Sequence, residues 1–397
     1  IASNPNSQYY VTLKQLEYER MAAFVDMQNN TEEYPNIKGV WFEEEYRRVY
    51  PNGSLACDVI GFTGKDNVGN YGLEQYYNSV LNGTNGREYG YLNDDETLER
   101  TTIPATDGYN IVSTIDGNIQ QIVERYIKDF NDEYTNAARS GNGARNVGCI
   151  IMDVNNGNVL AMAGYPVFDL NNPRDTSALI GSPMVNEKGN IDYEAEVISA
   201  ENIDTLLSDD AKTYQNLNYL WKNFCISATY EPGSVAKPFT VAAGLESGKM
   251  SGNEYYTCNG QLHVGDHDIK CHNYKSGGDG TLSVQESIEK SCNVALMLMG
   301  KQIGKSTFLE YQEKFNFGLK TNIDLYGESR TSSLVFNTQS MGDTELATST
   351  FGQGYNVTMI QTIAAFASLI NGGYYYEPHV VKQVTAPDGS IVENISP

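Results

Sequence analysis

Residues 148–164, GCIIMDVNNGNVLAMAG, place two short apolar runs on either side of Asn155-Asn156-Gly157. An Asn-Gly pair supplies the positive φ angles of a tight hairpin, so the stretch predicts two paired antiparallel strands. Just upstream, residues 109–115 alternate as a strand does, and Asp116 is placed to cap a helix. GNIQQIVERYIKDF (117–130) follows with helical spacing. A helix running into a buried hairpin predicts an antiparallel sheet with a helix packed on it, which is an α+β arrangement.

Working outward, residues 170–222 are polar, with scattered Asp, Asn and Ser, and predict a long excursion over the surface. From residue 234 on, helical spacing dominates, over 235–248, 282–290, 293–303, 306–315 and 358–370. Thr358 with Gln361 three residues later is a capping box before an apolar run. The last segment, NGGYYYEPHVVKQVTAPDGSIVENISP (371–397), predicts a strand, a turn at Pro387-Asp388-Gly389 and the start of another strand. Toward the other end, VTLKQLEYERMAAFVDM (11–27) has helical periodicity through Leu13, Leu16, Met21 and Phe24. IKGVWFEEEYRRVYP (37–51) reads as a strand entering a turn. The region to about residue 105 is mixed α and β, carries no nucleophile–base pair, and reads as a non-catalytic module (1–105) before a second domain (106–397).

The 397 residues suit two or three domains, and 40% hydrophobic content suits a protein with a real core. Lys plus Arg is 27 against 50 Asp plus Glu, a net charge of −23. That balance argues against nucleic acid as a partner, since nucleic-acid binding neutralises phosphates with cations. It argues equally against a basic membrane-surface patch. No apolar run is long enough to span a bilayer. Six cysteines lie scattered without a CxxC pair, so they do not form a disulfide framework. Cys57, Cys149, Cys225 and Cys292 read as small hydrophobes of cores or loops.

The chemistry concentrates in YEPGSVAKPFT (230–240). Pro232 and Gly233 mark a turn that feeds a helix, with Pro238 in its first turn, where little hydrogen bonding is lost. Ser234 then sits at a helix N-terminus with Lys237 one turn on, on the same face. A serine hydroxyl is a weak nucleophile until a base takes its proton. A lysine serves as that base when its amine is partly neutral, which burial and nearby cations favour. Backbone N–H groups at the helix start can hold a developing oxyanion. Alone, S-x-x-K is equally a capped helix with a surface lysine. Ser291-Cys292-Asn293, between two helical segments, adds a second polar group. There Ser291 is placed to relay a proton and Asn293 to hydrogen-bond a substrate amide, against the plainer reading of a helix N-cap serine.

S-x-x-K followed by S-x-N is the motif pair of penicillin-interacting enzymes, with Cys292 where Asp is common. The chain resembles class B penicillin-binding proteins, in particular the division and sporulation transpeptidases of Gram-positive bacteria. The resemblance runs in order through YRRVYPNGSLACDVIGF, NYGLEQYYNSVLNG, TTIPATDGYNIVSTIDGNIQQIVE, GCIIMDVNNGNVLAMAGYPVFDLNNP, YEPGSVAKPFT, FNFGLKTNIDLYGE and FGQGYNVTMIQTIAAFASLINGGYYYEPHVV. It implies a transpeptidase fold, an antiparallel sheet with helices on both faces, after an elongated pedestal or dimerisation module. It implies a serine D,D-transpeptidase that cross-links peptidoglycan stem peptides through a Ser234 acyl-enzyme and is acylated by β-lactam antibiotics. Lys237 would be the base, Ser291 the relay and Asn293 the substrate clamp, with no cofactor. Further implied partners are a membrane glycosyltransferase and other division or elongation proteins, with an N-terminal membrane anchor and the catalytic domain on the extracytoplasmic face. A bifunctional class A enzyme is disfavoured, because about 105 N-terminal residues leave no room for a glycosyltransferase domain.

Two departures stand out. The family's His-Gly pair before the second motif is replaced by Gly278-Asp279-Gly280, and no K-T-G motif occurs. The resemblance places the K-T-G strand beyond Pro397, so residues 1–397 are expected to be incomplete for catalysis. Two rival readings stay open: a β-lactamase or β-lactam sensor with the same serine chemistry, and a non-catalytic division scaffold.

Cys258, His263, His267, Cys271 and His272 fall within fifteen residues and are soft ligands of the kind zinc takes. Their spacing fits no standard zinc pattern, so no metal is assigned. A surface hairpin with Cys258 and Cys271 bridged, or with both free, is the competing reading. In every case the segment is expected to be structural, with chelators leaving β-lactam acylation intact.

Overall fold

The computed structural model describes residues 12–14, 16–37, 40, 42, 47–92 and 98–395. The chain divides into two compact units, Ile1–Val49 and Tyr50–Pro397.

In the first unit the helix is Tyr18–Asn29, later than the predicted span, and none of its residues is buried. Leu13 and Leu16 precede the helix and are exposed, so the apolar spacing expected there covers no core. The strand expected over 37–51 lies partly outside the described residues.

The second unit is organised around the hairpin. Val147–Met152 pairs antiparallel with Val159–Tyr165, from Val147↔Tyr165 to Met152↔Val159. The connection is wider than a two-residue turn. Gly157 alone takes a positive φ, 77°, while the Gly157 N–H donates to Asp153 O at 3.0 Å and the Asp153 side chain accepts from Asn155 N at 2.9 Å. Alternation sends the hairpin's side chains to two faces. Cys149, Ile151, Ala161 and Ala163 pack with Val123 and Ile127 of the helix Gly117–Tyr134. Ile150, Met152 and Met162 pack on the other face with Ile226 and with Met359, Ile360 and Ile363 of the helix Met359–Ile370. Helices therefore cover both faces of an antiparallel hairpin.

Local chemistry fixes these pieces. Asp116 caps its helix by accepting from Asn118 N and Ile119 N, a cap worth about 1 kcal/mol. Gln120, fully buried, acts as a strand surrogate: it donates to Met162 O and accepts from Met162 N, both at 2.9 Å. The capping box of Thr358 and Gln361 is present. Near the C-terminus, Val381–Thr385 pairs with Asn110–Ser113 on one side and Ile391–Asn394 on the other. Asp324 ties this edge down, accepting from Val380 N (2.7 Å), Val381 N (3.0 Å) and the Tyr77 hydroxyl (3.0 Å).

Residues 170–222 are more than a surface excursion. They contain the helices Ile203–Leu207 and Asp210–Trp221, whose Leu206, Leu217, Leu220 and Trp221 join Phe168, Leu179 and Ile198 in a buried cluster with Cys57 and Phe62. Ala56, Val59 and Leu73 likewise share a core with Val159, Met162 and Ile360. Ala56, Cys57, Val59, Phe62 and Leu73 are thus removed from water together with the later part of the chain.

Candidate active site

Gly233–Ala236 forms a 3-10 turn that runs directly into the helix Lys237–Glu246. Gly233 has φ 59°, which lets the chain turn sharply before the serine. The turn is clamped from outside, because Gly233 N–H donates to Gly352 O at 2.9 Å. A Cβ on Gly352 would lie 2.1 Å from Gly233 O, so only glycine permits this approach. Glu231 Oε1 accepts from Gly354 N at 2.7 Å, and Thr229–Tyr230 pairs with Val357–Thr358. The FGQGYN segment therefore holds the serine turn at several points. The helix behind it is anchored by Phe239, whose ring meets Phe315, Phe317 and Phe366 edge-on.

Ser234 is exposed, whereas Lys237 is only 2% exposed. Burial pushes the Lys237 amine below its ordinary value, with Cys271, Cys292 and Asp279 pulling the other way. Ser291 comes between the two residues. Lys237 Nζ donates to Ser291 Oγ at 2.8 Å and to Ser291 O at 2.5 Å, and Ser291 Oγ donates to Ser234 Oγ at 2.9 Å. The result is a continuous hydrogen-bond path from an exposed hydroxyl to a buried amine. Ser234 lies in the first turn of its 3-10 segment, where backbone N–H groups lack an intrahelical acceptor. That leaves its N–H available for an oxyanion.

Ser291 is not the helix N-cap; that place belongs to Cys292, whose sulfur accepts from Ala295 N at 3.4 Å. Ser291 instead sits at φ 51°, a left-handed conformation that turns its hydroxyl and carbonyl toward the lysine. Asn293 opens the helix Asn293–Ile303, half-buried, with no side-chain partner among the described residues. Its amide is free to meet a ligand.

The histidine-rich segment folds as two hairpin strands, Gln261–Val264 and His267–Lys270. His263 pairs with Asp268 at 2.8 Å on an exposed face, and His267 is exposed as well. The register sets His263, opposite Asp268, and His267, opposite Val264, on different faces of the hairpin, so the grouping suggested by sequence proximity does not form. His272 is exposed, with Nδ1 3.5 Å from Cys271 Sγ. Cys258 and Cys271 are both free, so the bridged reading does not hold. They converge instead with Cys292 and Asp279, and the four ligand atoms lie within 4.8 Å of one another. Nothing in the spacing of the sequence pointed to Asp279 or Cys292 as members of that set.

Comparison with known proteins agrees with this geometry. The Penicillin binding protein transpeptidase domain matches residues 147–396, and the Penicillin-binding Protein dimerisation domain matches residues 3–113. Stage V sporulation protein D of Bacillus subtilis is 31% identical over 360 residues, covering 89% of this chain and 47% of that protein. Peptidoglycan D,D-transpeptidase FtsI of Escherichia coli is 28% identical, over 88% of this chain and 50% of that protein. The chain thus spans about half the length of the curated relatives it matches. Among solved structures, Penicillin Binding Protein 2X from Streptococcus thermophilus superposes with a TM-score of 0.68 at 25% identity, over 94% of this chain and 48% of that one. Penicillin binding protein 3 of Mycobacterium tuberculosis complexed with aztreonam gives 0.64 at 25% identity, over 88% and 64%. With its exposed serine, buried lysine and bridging serine in place, the chain belongs to the penicillin-binding protein transpeptidase family, of class B type.

Proposed function

We propose that this chain carries the acyl-transfer site of a peptidoglycan D,D-transpeptidase, acylated and inhibited by β-lactams. The observation that carries the reading is the path from Ser234 Oγ through Ser291 Oγ to the buried Lys237 Nζ. Ser234 Oγ attacks the penultimate D-Ala carbonyl of a stem peptide, and its proton passes through Ser291 to neutral Lys237. The Ser234 N–H stabilises the oxyanion while Asn293 holds the donor's amide. As the tetrahedral intermediate collapses, the C–N bond breaks and the D-Ala amine takes the proton back by the same route. A neighbouring strand's amine then attacks the ester and Ser234 is released. With a β-lactam the ring opens, the amine stays tethered, and the acyl-enzyme persists. None of these steps needs a cofactor.

By the same likeness, the protein works on the extracytoplasmic face of the cell membrane, held by an N-terminal anchor, beside a membrane glycosyltransferase and other division or elongation proteins. Among the described residues no helix is long and apolar enough to cross a membrane. The test is D-Ala release by the full-length protein from a pentapeptide stem with an acceptor amine present. Release that disappears in Ser234→Ala supports the reading. Full-length protein that releases no D-Ala supports the scaffold, and rapid multiple turnover of a chromogenic cephalosporin supports the β-lactamase.

A further inference from the structure

Three cysteines and an aspartate meet behind the Ser291-Cys292-Asn293 tripeptide. Cys258 ends the strand Tyr255–Cys258, and Asp279 directly precedes the strand Gly280–Ser283 that pairs with it through Gly280↔Cys258. Cys271 follows the strand His267–Lys270 and is held by its own N–H donating to Gly260 O at 2.8 Å. Cys292 caps the helix Asn293–Ile303. Four separate points of the chain are thus drawn to one place, and all three cysteines are buried.

The distances discriminate between readings. Cys271 Sγ lies 3.8 Å from Cys292 Sγ and 3.7 Å from Asp279 Oδ2. A disulfide would need about 2.05 Å between sulfurs. A tetrahedral zinc ion with Zn–S of about 2.3 Å and Zn–O of about 2.0 Å sets its ligands roughly 3.5–3.8 Å apart. The two separations at Cys271 match edges of such a tetrahedron, and all four ligand atoms lie within 4.8 Å of one another. Surrounding groups orient the ligands as the outer contacts of a metal site do. Asn273 Nδ2 donates to Asp279 Oδ1 at 3.0 Å, leaving Oδ2 to face the sulfurs. Ala295 N–H donates to Cys292 Sγ at 3.4 Å. Three soft sulfurs and one hard oxygen suit Zn(II), and four protein ligands close the sphere, which marks a structural site.

We propose that Cys258, Cys271, Cys292 and Asp279 bind one zinc ion that pins the hairpin subdomain to the Ser291-Cys292-Asn293 tripeptide. The ion acts on catalysis through position, a consequence that rests on the roles given above to Ser291 and Lys237. Ser291 holds a left-handed φ of 51°, a conformation an ordinary residue rarely adopts unless its surroundings hold it there. Fixing the neighbouring sulfur holds that conformation and keeps the Ser291 carbonyl and hydroxyl on Lys237. Cys292 thereby couples the cluster to the motif, which reverses the expectation that chelation leaves acylation intact.

Elemental analysis of the full-length protein, purified without chelator, should find one zinc per chain. Cys258→Ser and Asp279→Asn should lose it, while His263→Ala and His272→Ala should keep it. Should the ligand variants fail to fold, the wild type decides alone. Stripping it should free titratable thiols, and cobalt reloading should give the d–d bands of a tetrahedral ion with sulfur-to-cobalt charge transfer. Stripped protein should also acylate with penicillin about tenfold more slowly, or slower still, and recover with zinc, the scale of a disturbed outer-shell contact. Wild type isolated without zinc, a Cys271–Cys292 disulfide as its isolated state, or zinc retained by both ligand variants would overturn the site. Metal loss with unchanged acylation would overturn the positioning role. Zinc content is read without any activity, so failure of the transpeptidase reading leaves a separate signature.

Discussion

The buried amine of Lys237 and the hydroxyl of Ser291 stand 2.8 Å apart, with the lysine donating, and Ser291 passes the contact on to Ser234 at 2.9 Å. The lysine is held by a second bond to the Ser291 carbonyl, so its position depends on the tripeptide backbone as much as on its own helix. The following expectations come from that arrangement and from the core around it.

Lys237→Arg keeps the charge but supplies no neutral amine. Acylation by penicillin should fall by at least about a hundredfold, the low end for loss of a general base. Because burial lowers the Lys237 pKa, its neutral form appears at lower pH than for a surface lysine. The wild-type acylation rate should therefore rise with pH and level off below pH 10.5, the ordinary lysine value. Stopped-flow acylation across pH reads both, and near-normal rates in the arginine variant would refute the base.

Ser291→Ala removes the hydroxyl that joins Ser234 to Lys237 while leaving the carbonyl contact. Acylation should drop by roughly a hundredfold with thermal stability nearly unchanged. A rate within about twofold of wild type would mean that Lys237 reaches Ser234 without the relay, against a typical contribution of at least about a hundredfold.

Gly352→Ala sets a methyl 2.1 Å from Gly233 O, at a φ of 82° that alanine resists. The turn presenting Ser234 must move. Stability should fall by about 2 kcal/mol or more, in the range for a strained special position, and acylation should fall with it. Denaturant unfolding checks the first and penicillin labelling the second. Wild-type values for both would show that the clamp is dispensable.

Asp58 is buried, and burial together with Glu124 pushes its carboxyl up to about 7. The folded protein thus holds a proton there that the unfolded chain releases near its ordinary value of 3.8. The stability this gives is fully present below that ordinary value and is lost as pH rises toward 7. The loss should approach about 1.4 kcal/mol per pH unit at its steepest. In Asp58→Asn this component should vanish between pH 4 and pH 7. Chemical denaturation at a series of pH values measures it, and an unchanged pH dependence in the variant would assign the effect elsewhere.

Much of this was legible in the sequence because it is local. Asp116, Asn155-Gly157, Thr358 with Gln361 and the Ser234–Lys237 spacing each act within one turn of backbone. The two helices between Ile203 and Trp221 were not legible, since their buried faces rest on few apolar residues in a polar stretch and become interpretable only against Phe62 and Phe168. The helix Asp343–Ser349 escaped for a similar reason, being short and led by polar residues. The cysteine cluster was misgrouped because neighbours in sequence are not neighbours in a hairpin. Strand register put His263 and His267 on opposite faces of their hairpin, while pairing Gly280 with Cys258 brought Asp279 in. Cys292, read as a small hydrophobe, belonged to the same cluster from the far side of a helix start.

Ser234 is the nucleophile on which the proposed acyl transfer depends. Full-length protein incubated with a fluorescent penicillin, digested and mapped by mass spectrometry should carry a single stable adduct on the peptide containing Ser234. Prior treatment with unlabelled penicillin should prevent it. An adduct on the peptide containing Ser291, or labelling that survives Ser234→Ala, would contradict it.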